Sequence, residues 1–287
     1  MNETLKRIIS GLILAAFYII AFNYDGIYSI FLYLFCLLFV WTGLSEFFTL
    51  YDIRLKIKPG RLNEKIFSIF LVTFFYIDFL NFFNINENIL IGFFLFYLFI
   101  LFISWIIKGD SAEASVKISG GLMAMLYIAL PVSHLFLIKK LENGVFFIWL
   151  VSWATVMSDT MAYASGKLFG RTKVRLPISP NKTYEGYIGG LIGQLLLTYL
   201  FYAISKSYFD IIDLTLIEII VIGLIIYIAS IAGDLSESLL KRDSGLKDSG
   251  NTIPGHGGVL DLIDALLFTI PGFYYSYLFI EFVKRQF

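Results

Sequence analysis

Long apolar stretches alternate with short polar loops along the whole chain, and this pattern predicts an all-α, polytopic membrane protein. A helix needs about 20 mostly apolar residues to cross a bilayer, and nine stretches come close to or exceed that length. They lie at 8–24, 26–49, 66–84, 88–107, 117–138, 145–165, 185–204, 215–233 and 260–280. Because no internal repeat or low-complexity linker divides them, we predict a single integral membrane domain over residues 1–287.

The composition supports lipid as the solvent for much of this chain. Hydrophobic residues make up 58% of the 287 positions, 30 of them are Phe, and the mean hydropathy is +0.80. These values are not those of a soluble domain of this length. The lone Cys36 excludes an internal disulfide and a cysteine-based metal cluster.

The distribution of charge predicts the orientation, although the net charge is zero. Seventeen of the 22 Lys and Arg residues fall in the N-terminal tail and in every second loop after it. An excess of cations marks cytoplasmic loops. We therefore predict an odd number of spans in the cytoplasmic (inner) membrane, with the N-terminus and the 241–259 loop in the cytoplasm. We also predict that the C-terminus lies outside, and no nucleic acid is expected as a partner.

The two halves of the chain differ in polarity. Residues 1–140 read largely as scaffold spans, and Glu46 is interpreted there as an interfacial side chain that snorkels rather than as part of a site. Residues 145–287 carry the polar motifs and are predicted to form the catalytic spans and cytoplasmic loops. Asp159 lies within the sixth span. A carboxylate inside a membrane segment is costly, so Asp159 is a functional candidate.

The loop after the sixth span contains further candidate residues, which we expect to line the same cavity as the others. Ser179 and Pro180 predict a helix start, with serine as the cap and proline at the first helical position. Lys182 then falls in the first turn, where a cation is unfavourable against the helix dipole. An anion bound at that helix N-terminus would offset the problem.

Polar residues also recur at helical spacing around the last loop. Asp234, Ser238 and Lys241 stand at i, i+4 and i+7 and share one face if the eighth span continues as a helix. Asp261 and Asp264 are three residues apart at the start of the ninth span. The five side chains therefore border one loop from both sides.

That loop, KRDSGLKDSGNTIPGHGGVLDLID at 241–264, combines cations, carboxylates and glycines. The glycines beside His256 let backbone amides turn toward a ligand, and its cations suit phosphate. Aspartate oxygens near phosphate suit Mg²⁺. The set predicts a site for a metal–polyphosphate, and a solvated structural loop is the alternative. The residues concerned are Gly255, Gly257, Gly258, Lys241, Arg242, Lys247, Asp234, Asp261 and Asp264.

The spacing resembles the signature of the phosphatidate cytidylyltransferases (CDP-diacylglycerol synthases). The matching positions are Ser238-x-x-Lys241-Arg242, Lys247-Asp248-x-Gly250 and Ile253-Pro254-x-His256-Gly257-Gly258-x-x-Asp261. DTMAYASGKLFG and SPNKTYEG resemble two other recurrent segments of that family. The chain departs from the family's Asp-Arg-x-Asp at one position, where Leu262 replaces the arginine.

The resemblance implies transfer of CMP from CTP to phosphatidic acid, giving CDP-diacylglycerol and pyrophosphate for phospholipid biosynthesis. By motif position it implies Asp234 and Asp261 as Mg²⁺ ligands, with Asp264 and Asp248 as second choices. The resemblance also implies roles for the remaining candidates, which would contact phosphates, contact substrate, or orient a cation or a lysine. These are Lys241, Arg242, Lys247 and His256 for phosphates, Ser179, Lys182, Ser238, Gly255, Gly257 and Gly258 for substrate, and Asp159 for orientation.

Other functions and details stay open at this stage. The chain could be another CTP-dependent lipid enzyme such as a polyprenol kinase, a transporter, or an inactive relative in which Leu262 removes a needed cation. The sequence leaves open a second cation such as K⁺ and a homodimer.

Overall fold

The structure, a computed structural model, describes residues 3–24, 29–56, 61–82, 86–109, 113–255 and 257–286. In these ranges the chain is helical, with isolated β-bridges but no β-strand, which confirms the all-α class. The helices are α1 Glu3–Asn23, α2 Ile30–Leu55, α3 Leu62–Phe79, α4 Glu87–Lys108, α5 Ala114–Ala124, a π-helical turn Met125–Ala129, α6 Leu130–Lys139, α7 Gly144–Phe169, α8 Tyr184–Tyr208, α9 Leu216–Asp243, α10 Val259–Ile263 and α11 Leu266–Gln286.

The helices coincide with the predicted apolar stretches and make the chain a polytopic membrane protein. Seven helical segments of the described residues are long and apolar enough to cross a membrane. The apolar part of α1, Ile9–Asn23, is shorter, and α3 carries Glu64, Lys65 and Asp78 within 18 residues. The count of nine spans therefore stays a prediction.

The chain divides into two compact units, and the first comprises Met1–Phe136 and Asp248–Leu260. In this unit Phe22, Phe35 and Phe39 form a run of ring contacts between α1 and α2. By contrast, α4 leaves Leu95 and Phe99 about 60% exposed. Since apolar side chains on a spanning helix face hydrocarbon, lipid is the natural solvent for that face.

A buried ion pair ties α2 to the residue preceding α3 in the first unit. Arg61 Nη2 lies 3.0 Å from Asp52 Oδ1, and its Nη1 donates to the Lys117 carbonyl at 3.0 Å. The guanidinium also lies over the ring of Phe48. Buried charges persist only when they are paired and hydrogen-bonded, and Arg61 meets both conditions.

The second unit comprises Leu137–Lys247 and Asp261–Phe287. Its helices α7 and α11 are joined by the Phe147–Phe273 ring contact and by a 2.9 Å hydrogen bond from Thr155 to Thr269. Helices α7 and α8 approach so closely at Gly190 that a Cβ there would lie only 2.9 Å from that of Ala162. Small residues and interhelical hydrogen bonds are the usual means by which helices associate in membranes.

Candidate active site

A cavity of about 570 Å³ lies within the second unit, between α7, α8, α9 and the start of the last span. Four carboxylates line it, and the chemistry of the site depends on them. They are Asp159 from α7, Asp234 from α9, Asp261 from α10 and Asp264 from the residues after α10. Lys182 and the rings of Tyr187 and Tyr227 complete much of the wall.

Lys182 and Asp234 form an ion pair at the wall of this cavity. The Lys182 ammonium also lies 5.6 Å from the centre of the Tyr187 ring. Both charged side chains keep roughly a quarter to a third of their surface exposed, 26% and 30%. A ligand entering the cavity can therefore reach both of them.

The segment that carries Lys182 is a short hairpin, so the predicted helix start at Ser179 and Pro180 is wrong. Isolated bridges join Leu176 to Ser179 and Lys173 to Thr183. Helix α8 begins at Tyr184, and the Thr183 hydroxyl caps it by accepting from the Gly186 amide at 3.1 Å. Thr183 has the extended backbone and the side-chain oxygen that an N-cap requires, which places Lys182 before the helix instead of in its first turn.

Lys241 bridges two carboxylates near the end of α9. Its ammonium lies 2.7 Å from Asp261 Oδ1 and also pairs with Glu237, whose side chain is fully buried. The pairing is possible because α9 continues as a helix to Asp243, as the spacing predicts. Glu237 was missed in the sequence, although its i, i+4 spacing to Lys241 was a visible signal.

Asp264 sits at a break between α10 and α11. Its Oδ1 accepts from the Ala265 amide at 2.6 Å, and this bond supports the break. Gly233, next to Asp234 in α9, packs against the same place. A Cβ on Gly233 would lie 2.5 Å from the Asp264 carbonyl oxygen, so the lack of a side chain allows the contact.

Among the described residues, five predicted site residues of the second unit lie outside the cavity lining: Lys241, which contacts Asp261 of the lining, and Ser179, Ser238, Arg242 and Lys247. Ser179 and Ser238 are half-buried, and Arg242 and Lys247 are exposed. Arg242 Nη1 is 3.3 Å from the Leu246 carbonyl. Leu262, which stands where the family has arginine, is 40% exposed.

The remaining predicted residues belong to the first unit. Asp248 and Gly255 are exposed, Gly257 is half-buried and Gly258 is buried. A pair of backbone hydrogen bonds between Ile253 and Gly257 closes a tight turn. Gly255 and Gly257 have φ of +84° and +94°, which L side chains rarely adopt. His256 lies outside the described residues.

Glu46 is not a snorkelling residue, and that interpretation is wrong. It is only 6% exposed, and four donors of the 248–260 segment surround its carboxylate. The Thr252 hydroxyl and the Val259 amide donate to Oε1 at 2.5 and 2.9 Å. The Ser249 hydroxyl and the Leu260 amide donate to Oε2 at 3.1 and 2.8 Å. This full set of partners offsets the cost of burying the charge.

The donor chemistry of the cavity fits a hard divalent cation. Four carboxylates line one space, and Mg²⁺ typically takes only one or two from a protein while keeping waters or substrate oxygens. No group of three ligating side chains is assembled around one point within the described ranges. Asp234 and Asp261 are instead neutralised by Lys182 and Lys241.

Comparisons with known proteins identify the family to which this chain is similar. The Cytidylyltransferase family matches residues 5–280. A phosphatidate cytidylyltransferase of Haemophilus influenzae is 42% identical over 47% of this chain and 45% of its own length. The protein of that name from Thermotoga maritima is 34% identical over 63% and 67%, and that from Bacillus subtilis is 36% identical over 53% and 55%.

The chain belongs to the cytidylyltransferase family, because the match covers nearly all of it. The alignments with the curated relatives are shorter. The chain spans about half the length of the Haemophilus influenzae and Bacillus subtilis proteins that it matches.

Proposed function

We propose that this protein transfers CMP from CTP to phosphatidic acid, giving CDP-diacylglycerol and pyrophosphate. The observation that carries the proposal is the cavity in which four aspartates and Lys182 face one space. Family membership and the names of the similar proteins support the same reaction. Nothing in the cavity favours a polyprenol kinase or a transporter.

The reaction requires little proton chemistry from the protein. The phosphomonoester of phosphatidate is largely a dianion near neutral pH, so it can attack the α-phosphorus of CTP without a general base. The barrier lies in bringing two polyanions together in line and in stabilising the charge that develops. Positioned cations are therefore the main demand on the site.

Lys182 and Lys241 are the residues that meet this demand. Lys182 lines the cavity and pairs with Asp234, and Lys241 pairs with Asp261 of the cavity wall. An entering phosphate competes for these ammonium groups and gains charge-assisted hydrogen bonds. Arg242, Lys247 and His256 are proposed as further phosphate contacts on the strength of the family signature alone.

Mg²⁺ is proposed as the cofactor, with Asp234 and Asp261 as its first-choice ligands. Asp264, which lines the cavity, and Asp248, which only the family signature implies, are the second choices. The ion would neutralise phosphate charge and act as a Lewis acid at the reacting group. Asp159 lines the same cavity and is proposed to orient Lys182 or a cation, a role in which K⁺ could accompany Mg²⁺.

The membrane setting fits a lipid substrate. Diacyl chains can stay in the bilayer while only the phosphate enters the cavity, which gives a reason for an enzyme that uses a nucleotide to be built from spanning helices. The cation asymmetry of the loops supports insertion in the cytoplasmic membrane with the site facing the cytoplasm, where CTP is available.

Turnover of CTP labelled at different phosphates tests this function. Purified protein in mixed micelles receives phosphatidate, Mg²⁺ and CTP labelled at either the α- or the γ-phosphorus. The proposal expects label in the lipid only from the α-position. Transfer of the γ-label to lipid would identify a kinase, and uptake into proteoliposomes without any CTP turnover would identify a transporter.

A further inference from the structure

The Glu46 carboxylate on α2 anchors the glycine-rich loop at residues 249–260 by hydrogen bonds. This carboxylate lies more than 200 positions before the loop in sequence and accepts four hydrogen bonds from it, two on each oxygen. A carboxylate has about four acceptor positions, so this one is saturated. A second contact comes from α1, where the Ser10 hydroxyl donates to the Pro254 carbonyl at 2.9 Å.

Two glycines of the signature serve this anchor. A Cβ on Gly250 would lie 2.8 Å from Glu46 Oε1, and one on Gly258 would collide with the other oxygen and with the Ser249 hydroxyl. The sequence interpretation assigned Gly258 to substrate binding. In the structure the bare backbone at these two glycines makes room for a side chain of the protein itself.

The bonds also define where α10 begins. Val259 and Leu260 are its first two residues, and their amides have no acceptor within the helix because the first turn of any helix leaves its N–H groups free. Glu46 accepts both. Leu260 directly precedes Asp261 in the chain, so the anchor fixes the backbone that leads into a proposed metal ligand.

We infer that Glu46 is a positioning residue for the cytidylyl transfer: it holds the 249–260 loop in the conformation that turnover requires. This inference rests on the proposed function. Glu46 itself touches no substrate and acts through the loop.

Replacement by glutamine tests the inference because the shape is kept while one acceptor becomes a donor. The hydroxyls of Ser249 and Thr252 can rotate to accept from an NH₂ group, but the amides of Val259 and Leu260 cannot. Glu46→Gln therefore leaves one backbone N–H facing another donor. Asp52→Asn is the matched control, since Asp52 is also buried on α2 and ion-paired but is bonded to Arg61 instead of the loop.

Loop mobility gives a readout that does not depend on turnover. Asn251 is exposed in the loop, and the native Cys36 is fully buried, so a spin label on Asn251→Cys reports on the loop alone. We expect the label to be immobilised in the parent and in Asp52→Asn, and more mobile in Glu46→Gln. We expect kcat to fall at least about tenfold in Glu46→Gln beyond any change in Asp52→Asn, with a smaller change in KM for CTP.

The outcomes separate the two proposals. A mobile loop with full turnover, or lost turnover with an unchanged spectrum, would overturn the positioning role. If the loop is more mobile in Glu46→Gln but the parent protein does not turn over CTP, Glu46 still anchors the loop, and the proposed function is wrong. If Glu46→Gln does not fold, Thr252→Val removes one donor of the same cluster and should give a smaller effect in the same direction. No effect of Thr252→Val on either readout would then count against the inference.

Discussion

The Lys241 ammonium lies 2.7 Å from Asp261 Oδ1, joining the end of α9 to α10 across the loop between them. The same ammonium pairs with Glu237 one turn earlier. A proposed phosphate-binding cation and a proposed metal ligand thus contact each other. Under the proposed function, a metal ion competes with Lys241 for the Asp261 carboxylate, and a phosphate competes with Asp261 for the Lys241 ammonium.

Replacing Lys241 should lower turnover and also lower the Mg²⁺ concentration that turnover requires. Lys241→Met removes a cation that stabilises phosphate charge, and loss of one such group typically costs about 10²-fold in kcat. It also removes the competitor for Asp261, so the Mg²⁺ concentration for half-maximal turnover should fall. Titrating Mg²⁺ in the CTP assay measures both effects. Lys206→Met is the control, because that lysine pairs with the exposed Asp213, and an equal loss there would contradict the assignment.

Glu237 should matter because it fixes Lys241. Glu237→Gln keeps the size of the side chain and weakens the ion pair with Lys241, and a contact with a charged group is typically worth about 1.5–3 kcal/mol. We expect kcat to fall roughly tenfold or more while the protein stays folded. Glu218→Gln on the same helix removes a pair with Lys284 and should leave turnover near that of the parent. Full activity of Glu237→Gln would show that Lys241 needs no second partner.

Packing at Gly233 should couple stability to activity. A Cβ there would lie 2.5 Å from the Asp264 carbonyl and 2.7 Å from Ala265 Cα, so Gly233→Ala must shift the break that carries Asp264. Overpacking of this kind costs about 1–3 kcal/mol. The midpoint temperature of thermal unfolding and the turnover rate should both fall in this variant. A Cβ on Gly92 of α4 would meet nothing within 4 Å, so the control Gly92→Ala should change neither the thermal stability nor the turnover. Equal losses in Gly233→Ala and Gly92→Ala would contradict the packing explanation.

The predicted orientation can be read from two single cysteines. Asn251→Cys lies in the loop that the cation asymmetry places in the cytoplasm, and Asp210→Cys lies between α8 and α9 on the opposite side. An impermeant maleimide should label Asp210→Cys in intact cells and Asn251→Cys only in inverted vesicles. The buried Cys36 should contribute little background. Labelling of Asn251→Cys from outside would reverse the topology.

The sequence predicted the helices well and the site in part, for physical reasons. Apolar run length locates helices such as α7 and α9 because the bilayer imposes that length, and helical spacing brought Asp234 and Lys241 near the same site. The role of Glu46 could not be read, because its partners lie more than 200 residues away and a carboxylate at the end of an apolar run also fits an interfacial residue. The helix start at Ser179 was wrong although Ser-Pro is a good helix start in isolation. Bridges at Ser179 and Thr183 keep this segment in a hairpin, so the helix begins only after Thr183, which caps it.

The central claim is that the aspartates of the cavity support cytidylyl transfer from CTP to a lipid phosphate. The most direct test measures lipid labelling from α-labelled CTP, with phosphatidate and saturating Mg²⁺, for the parent, Asp261→Asn and the control Asp213→Asn. Loss of a ligand carboxylate removes several kcal/mol of charge stabilisation, so excess Mg²⁺ should not restore Asp261→Asn. We predict labelled lipid from the parent and from Asp213→Asn and none from Asp261→Asn. Parental turnover in Asp261→Asn would contradict the account.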